Sequence, residues 1–382
     1  MTEKLYYRDS HIKTFEAKVL SCEPEKDHYQ IVLDATAFFP EGGGQSADTG
    51  MLESVRVLDV QEKQDIIYHT TDGPLTPGDT VTGTIDWAVR FDRMQQHSGE
   101  HLISGLVHQR FGYDNVGFHL GDEETTLDFN GVLTKEELTD IETAANLAVF
   151  ADFPVKVLYP SNGELASMTY RSKIEIAGQV RIVEYPGYDT CACCAPHVNH
   201  TGEIGLIKIT HVQNHRGGVR VNILCGMRAL RDYREKDASV KQISVLLSAK
   251  ESLVADAVTR LKEEQYTLRG RLMAVQEQRL KQELENLPAD SRDVVFFLEE
   301  LSPDAVREFV NQLMKKCTGY CAAFYGSDET GYKYIIGSST DDIRPLGKRV
   351  NAALNGRGGG KPEMIQGSVN ALQEDIRRVL IS

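Results

Sequence analysis

The 382 residues predict a mixed α+β protein built from a small β-barrel (1–88), an α+β domain (89–232), a long helix (233–287) and a compact α/β tail (288–382). Three observations carry that expectation. Short alternating β-branched runs fill the first ~85 residues. A seven-residue apolar repeat crosses the middle, and strands alternate with helices again after it. At ~150 residues per domain, the length itself asks for two or three domains.

In the first block, Gln30–Asp34, Val55–Val60, Asp65–Thr70 and Thr80–Asp86 read as strands. Between them lie turn-rich stretches such as Pro40-Glu41-Gly42-Gly43-Gly44-Gln45, and short strands with such turns suggest a barrel. From Arg90 the pattern is helical: Phe91, Met94, Ser98, His101, Leu102, Gly105 and Leu106 share one face. Thr134-Lys135-Glu136-Glu137 forms a capping box opening a second helix towards Phe150. Strands return at Val155–Tyr159, Val180–Tyr185, Gly205–Val212 and Val219–Cys225.

Val240, Leu247, Val254, Leu261, Leu268 and Val275 then hold one heptad position without a break. The companion position is uneven, with Val258 and Leu272 apolar but Ser244, Glu251, Gln265 and Arg279 not, which makes half a coiled-coil seam. Such a stripe asks for a partner surface, so a homodimer through this helix and the tail is expected. Pro288 ends the helix. In the tail, Val294–Leu298, Ala322–Tyr325 and Tyr332–Ile336 read as strands, and Ser302-Pro303 opens a helix with a polar cap and proline in the first turn. A helix is expected near Leu346–Leu354, followed by a glycine turn, Gly356 to Pro362, and a last helix at Ser368–Leu380.

Composition narrows the function classes. With 41% hydrophobic and 26% charged residues, the chain buries ordinary cores and is not disordered. No apolar run approaches the ~20 residues of a membrane helix, and the first residues lack a signal-type apolar stretch. No membrane association and a cytoplasmic location are therefore expected. Seven cysteines, three of them at Cys191, Cys193 and Cys194, suit thiols or metal ligands in a reducing compartment. Cys22, Cys225, Cys317 and Cys321 read as small buried apolar residues.

The net charge of −14 argues against a broadly basic nucleic-acid coat. It is unevenly spread, however. Ile207–Asp290 carries 15 Lys/Arg against 11 Asp/Glu, and Asp341–Ser382 carries 7 against 5. A basic footprint, if present, is local. Arg357 and Lys361 flank Gly358, Gly359 and Gly360, whose amides at a turn before a helix suit RNA phosphates. The segment lacks the Lys-Ser/Thr ending of a nucleotide P-loop, so ATP is not expected.

The chemistry concentrates elsewhere. His97-Ser98-Gly99-Glu100-His101 places two imidazoles four apart on one helix face. Glu100 lies inside the motif but off that face. Cys193 and His197 are again four apart, and Pro196 makes their segment, Thr190 to His197, a loop. Together the two pairs supply four ligands suited to Zn²⁺. Spacing does not decide among the thiols, since Cys191 and Cys194 also reach.

His97-x-x-x-His101 with Cys193-x-x-x-His197 resembles the zinc motif of alanyl-tRNA synthetase editing domains and their free-standing relatives, the alanyl-tRNA editing proteins of the AlaX type. The stretch Ala37-Phe38-Phe39-Pro40-Glu41-Gly42-Gly43-Gly44-Gln45, with Asp48 and Gly50, is similar to the family's glycine motif. His197 to Gly205 resembles the segment after the second ligand pair. Gly358 to Gly367 is similar to the DHHA1 domain. The resemblance covers nearly the whole chain in the expected order.

It implies His97, His101, Cys193 and His197 as zinc ligands, and hydrolysis of the ester joining serine or glycine to tRNA(Ala). It places Arg357 to Lys361 in a tRNA-binding and dimerisation domain, and no amino-acid charging is expected. The sequence departs from the family where Cys194, Ala195 and Pro196 replace the usual Gly-Gly-Thr. It departs again at Val116-Gly117-Phe118-His119, where His119 stands in for a usual Thr or Gln. Gln45, Glu41 and His119 are the candidate pocket residues. Zinc would either activate the ester or a water or, closed by four protein ligands, shape the pocket.

Overall fold

The computed structural model describes residues 2–172, 179–299 and 301–381. It is a mixed α+β chain in two units, residues 1–242 and 243–382.

In the first unit, six strands pair in a closed ring: Thr14–Glu25, His28–Leu33, Ile66–Thr71, Val55–Lys63, Gly50–Leu52 and Thr80–Ile85, which returns to the first. Thr14–Glu25 opens with strict alternation, burying Phe15, Ala17 and Val19 and exposing Thr14, Glu16 and Lys18, the pattern of a strand with one face in a core. It was not among the strands expected from sequence, nor was Gly50–Leu52. The ring's core takes in Ile31, Leu33, Leu52, Val57 and Ile67, together with Phe38 and Phe39 from the glycine-rich segment.

The histidine helix, Trp87–Phe111, stops at Gly112 in the left-handed conformation. It is buried on most of its circumference, because Leu102, Ile103 and Val107 join a core shared with the helix Lys135–Ala151 and the sheet beside it. Thr134 and Glu137 form the expected capping box of that second helix. The sheet runs in the order Ile207–His215, Gly218–Cys225, Thr125–Phe129, Asn115–Leu120. A smaller sheet joins Lys156–Leu158, Ile182–Tyr185 and Asp189–Ala192. Thr190, Cys191 and Ala192, expected in a loop, are thus in a strand, and the loop begins at Cys193.

The expected single helix over 233–287 is two helices, Gly226–Leu247 and Val254–Asn286, with a 3₁₀ turn at Glu251–Leu253. No glycine or proline marks the break. Ser248 takes φ +49°, and the Ser244 hydroxyl donates to the Ala249 carbonyl at 2.6 Å, a side-chain bond that competes with continued helix. The heptad stripe on the second helix is solvent-facing: Leu261, Leu268, Leu272 and Val275 are each more than half exposed.

The rest of the second unit is a five-stranded sheet ordered Arg292–Leu298, Thr318–Ser327, Gly331–Gly337, Met364–Val369, Arg357–Lys361. Ser302 caps the helix Pro303–Lys316 with proline at its first turn, as the sequence indicates. The glycine segment differs from expectation. It is an edge strand, Arg357–Lys361, in register with Met364–Ser368, and the last helix begins only at Gln373. Glycine is required because a Cβ at Gly358 or Gly367 would fall 2.5 Å from the Tyr334 hydroxyl. The amide cradle at a helix start is therefore absent here.

Candidate metal centre

Four ligand atoms, one each from His97, His101, Cys193 and His197, lie within 4.8 Å of one another. The histidine helix carries two of them, and its pitch stacks the rings 5.5 Å apart. The loop after strand Asp189–Ala192 carries the other two.

Each imidazole is tied on its outer nitrogen. His97 Nδ1 meets the Gln45 amide oxygen at 3.0 Å, and His101 Nδ1 meets Asp189 Oδ2 at 2.7 Å. His197 Nδ1 faces the Tyr185 hydroxyl at 3.2 Å and Ser98 Oγ at 3.3 Å. With Nδ1 donating, each ring in its neutral form leaves an Nε2 lone pair for the centre. His97 and His197 accordingly turn Nε2 to Cys193 Sγ at 3.6 and 3.2 Å. This is the arrangement of outer partners that fixes tautomer and ring orientation in metal sites.

Charge agrees with geometry. Burial opposes ionisation of the Cys193 thiol, yet His97 and His197, with hydrogen bonds from His101 and His197, hold it well below the usual thiol range. Burial likewise opposes charge on His101, but Glu100, Asp189 and Cys193 outweigh it and push the imidazole up to about 9. His197 is pushed down to about 3, chiefly by burial. A half-buried thiol whose ionised form the surrounding imidazoles favour is a donor set that fits a divalent metal.

Gln45 reaches His97 through a tight turn. Gly42 and Gln45 exchange main-chain bonds at 3.0 and 3.1 Å, and Gly43 and Gly44 take φ of +61° and +82°, the two left-handed positions of a type I′ turn. A Cβ on Gly44 would also stand 2.8 Å from the Phe118 ring. Phe118 packs on His97 with ring centroids 4.8 Å apart. Gln45 is 1% exposed and its Nε2 has no partner among the described residues.

Three family models match the chain in order: "tRNA synthetases class II (A)" at residues 2–89, "Threonyl and Alanyl tRNA synthetase second additional domain" at 180–221, and "DHHA1 domain" at 292–380. The alanyl-tRNA editing protein AlaX-L of Pyrococcus horikoshii is 26% identical, over 98% of this chain and 96% of its own. The alanyl-tRNA editing protein Aarsd1 of Danio rerio is 28% identical, over 96% and 93%. This chain resembles the alanyl-tRNA editing proteins over nearly its whole length. The alanine–tRNA ligase of Ignicoccus hospitalis is 32% identical over 69% of this chain, which spans 30% of that ligase's length.

Of the pocket candidates, only Gln45 touches the cluster. Glu41 is exposed and accepts from Gln61 at 3.0 Å. His119 is exposed on strand Asn115–Leu120, where alternation turns Phe118 to His97 and its neighbour away. Cys194 is exposed, its sulfur 3.3 Å from where a Gly43 Cβ would stand. Cys191 is buried and groups instead with Asp189 on the outer side of His101.

Glu100 is a correction. Helical geometry sets it off the ligand face, but it is 1% exposed and its Oε2 lies 3.8 Å from His101 Nε2. Its Oε1 accepts from Ser104 Oγ at 2.8 Å and Asn115 Nδ2 at 2.6 Å. Asp189, Tyr185 and Ser98 were not singled out as functional from sequence. Asp189 carried a readable signal, a carboxylate in the same short run as the ligand thiol.

Proposed function

We propose that the chain is an aminoacyl-tRNA hydrolase that removes serine or glycine wrongly joined to tRNA(Ala), with Zn²⁺ held by His97, His101, Cys193 and His197. The observation that carries this reading is the convergence of those four ligand atoms, with each histidine tied outward through Nδ1. When bound, the metal supplies an electrophile for the ester carbonyl or a water acidified to a pKa of ~7. Gln45 would spend its oxygen on His97 and present its unpartnered amide hydrogens to the substrate. An unsatisfied buried donor is costly until a ligand accepts from it. Phe118 packs beside the same space, its ring centroid 4.8 Å from that of His97. The names of the relatives support the choice of tRNA(Ala).

The test is deacylation of seryl-, glycyl- and alanyl-tRNA(Ala) by the full chain, with metal analysis and with chelator. About one zinc per chain is expected, with hydrolysis of the seryl or glycyl ester and its loss on chelation. Four protein ligands close a tetrahedral zinc, which favours a second reading, a non-catalytic tRNA-binding module. Metal-loaded protein that hydrolyses none of the three esters would select it, and rapid hydrolysis of other tRNA esters would point to a different tRNA.

tRNA is held, on this reading, by few cations. Arg357 and Lys361 are exposed and share one face of their edge strand, being four residues apart. Replacing both by alanine should weaken tRNA binding and lower the slope of log affinity against log salt by roughly one to two. An unchanged slope in filter binding would remove them from the interface. The exposed Leu261, Leu268, Leu272 and Val275 stripe is proposed to pair two chains. Light scattering should then give a dimer for the full chain, and Leu268→Glu with Val275→Glu should give a monomer.

A further inference from the structure

The loop that carries Cys193 has no helix or strand to hold it, since the strand before it stops at Ala192. Its far end is held by the Ser10 hydroxyl, which donates to the His197 carbonyl at 2.7 Å; at the Cys193 end the hold is Arg181. Arg181, 8% exposed, donates from Nη1 to the Cys193 carbonyl at 2.8 Å and to the Ala195 carbonyl at 3.0 Å. Its own carbonyl accepts from the Cys193 N–H at 3.1 Å. The guanidinium lies over the Tyr7 ring, 5.3 Å from the centroid, and its Nε has no partner among the described residues. One nitrogen thus grips the carbonyls on both sides of Cys194.

Peptide carbonyls fix the orientation of the chain between them. Gripping both sides of Cys194 steadies the backbone from which the Cys193 side chain turns towards His97 and His197. A buried guanidinium with an unused N–H is costly, and the cost is tolerated here at the loop that bears the thiolate. We propose that Arg181 is a positioning residue for the metal centre, holding the Cys193 thiolate in place for the ion by clamping the Cys193–Ala195 backbone. The proposal rests on the metal reading above.

Arg181→Met keeps an apolar stem for the Tyr7 ring and removes the donors; Arg181→Lys keeps a cation and a single donor point. Each full-length variant is stripped, reloaded with Co²⁺, and read by thiolate-to-cobalt charge-transfer absorption, by competition with a metal-binding dye, and by thermal unfolding of the metal-free form. Arg181→Met should weaken the charge-transfer band and lower metal affinity by on the order of tenfold, with metal-free unfolding little changed. Arg181→Lys should recover part of the band. If Arg181→Met does not fold, Arg181→Gln, whose shorter stem does not reach both carbonyls, takes its place: a wild-type band and affinity in it overturn the proposal, and a weakened band upholds it. A wild-type band and affinity in folded Arg181→Met overturn it directly. Wild-type protein that takes up no cobalt overturns the metal reading, and this proposal with it.

Discussion

His101→Ala and Cys193→Ala are each expected to lose metal and deacylation together, while Cys191→Ala keeps both. Partners of metal ligands alone are worth about 10–100-fold in affinity, so deleting a ligand should cost more than that range. His101 is the most heavily supported of the four, with Asp189 at 2.7 Å on one nitrogen and Glu100 at 3.8 Å from the other. Asp189 is itself locked by Arg171, whose Nε and Nη2 donate to its two oxygens at 2.7 and 2.8 Å. Asp189→Asn, which keeps the shape and removes the charge, should therefore sit between wild type and His101→Ala, about 10–100-fold weaker in metal. Chelator competition and deacylation on the same preparations check the series. Metal stripped by Cys191→Ala alone would move the thiolate corner to the wrong residue.

What the sequence made legible was local. The Thr134–Glu137 box, the Ser302-Pro303 helix start, and the two four-residue pairs at His97/His101 and Cys193/His197 all depend on contacts within a turn or so. What it hid was long-range. Gln45 meets His97 across 52 positions and Asp189 meets His101 across 88, and neither pairing leaves a periodic trace. The glycine segment misled for a different reason. Its composition signals a turn, yet the residues are small to admit the Tyr334 side chain from the neighbouring part of the sheet, where its hydroxyl reaches Asn351 at 2.9 Å. The heptad stripe hid the break at Ser248 because a 3₁₀ turn between two helices preserved the apolar spacing through Val254.

Asp48→Ala should cost about 3–5 kcal/mol of the first unit's stability, the range for removing one partner of a buried ion pair. Asp48 and Arg90 are each 1% exposed. Arg90 Nε donates to both carboxylate oxygens, at 3.0 and 2.9 Å, and Nη2 donates to the same carboxylate. The guanidinium also reaches the carbonyls of Ala37 at 2.6 Å and Ser10 at 3.1 Å, and Asp48 accepts from the Phe39 N–H at 2.7 Å. The pair therefore fastens both ends of the segment that presents Gln45 to the helix that presents His97. Without Asp48, a guanidinium charge stays in the interior with carbonyls alone, which is why the loss exceeds the worth of the pair itself. Asp48→Leu combined with Arg90→Met removes both charges and should recover most of the loss. Trp87 is the chain's single tryptophan and opens the same helix, so its fluorescence reports this unit. With a urea slope of ~1–3 kcal/mol/M, the midpoint should fall by about 1 M or more in Asp48→Ala. Because Gln45 is then poorly held, metal affinity should fall as well. A midpoint shift worth less than about 1 kcal/mol would mean that the carboxylate is not what steadies the glycine turn against His97.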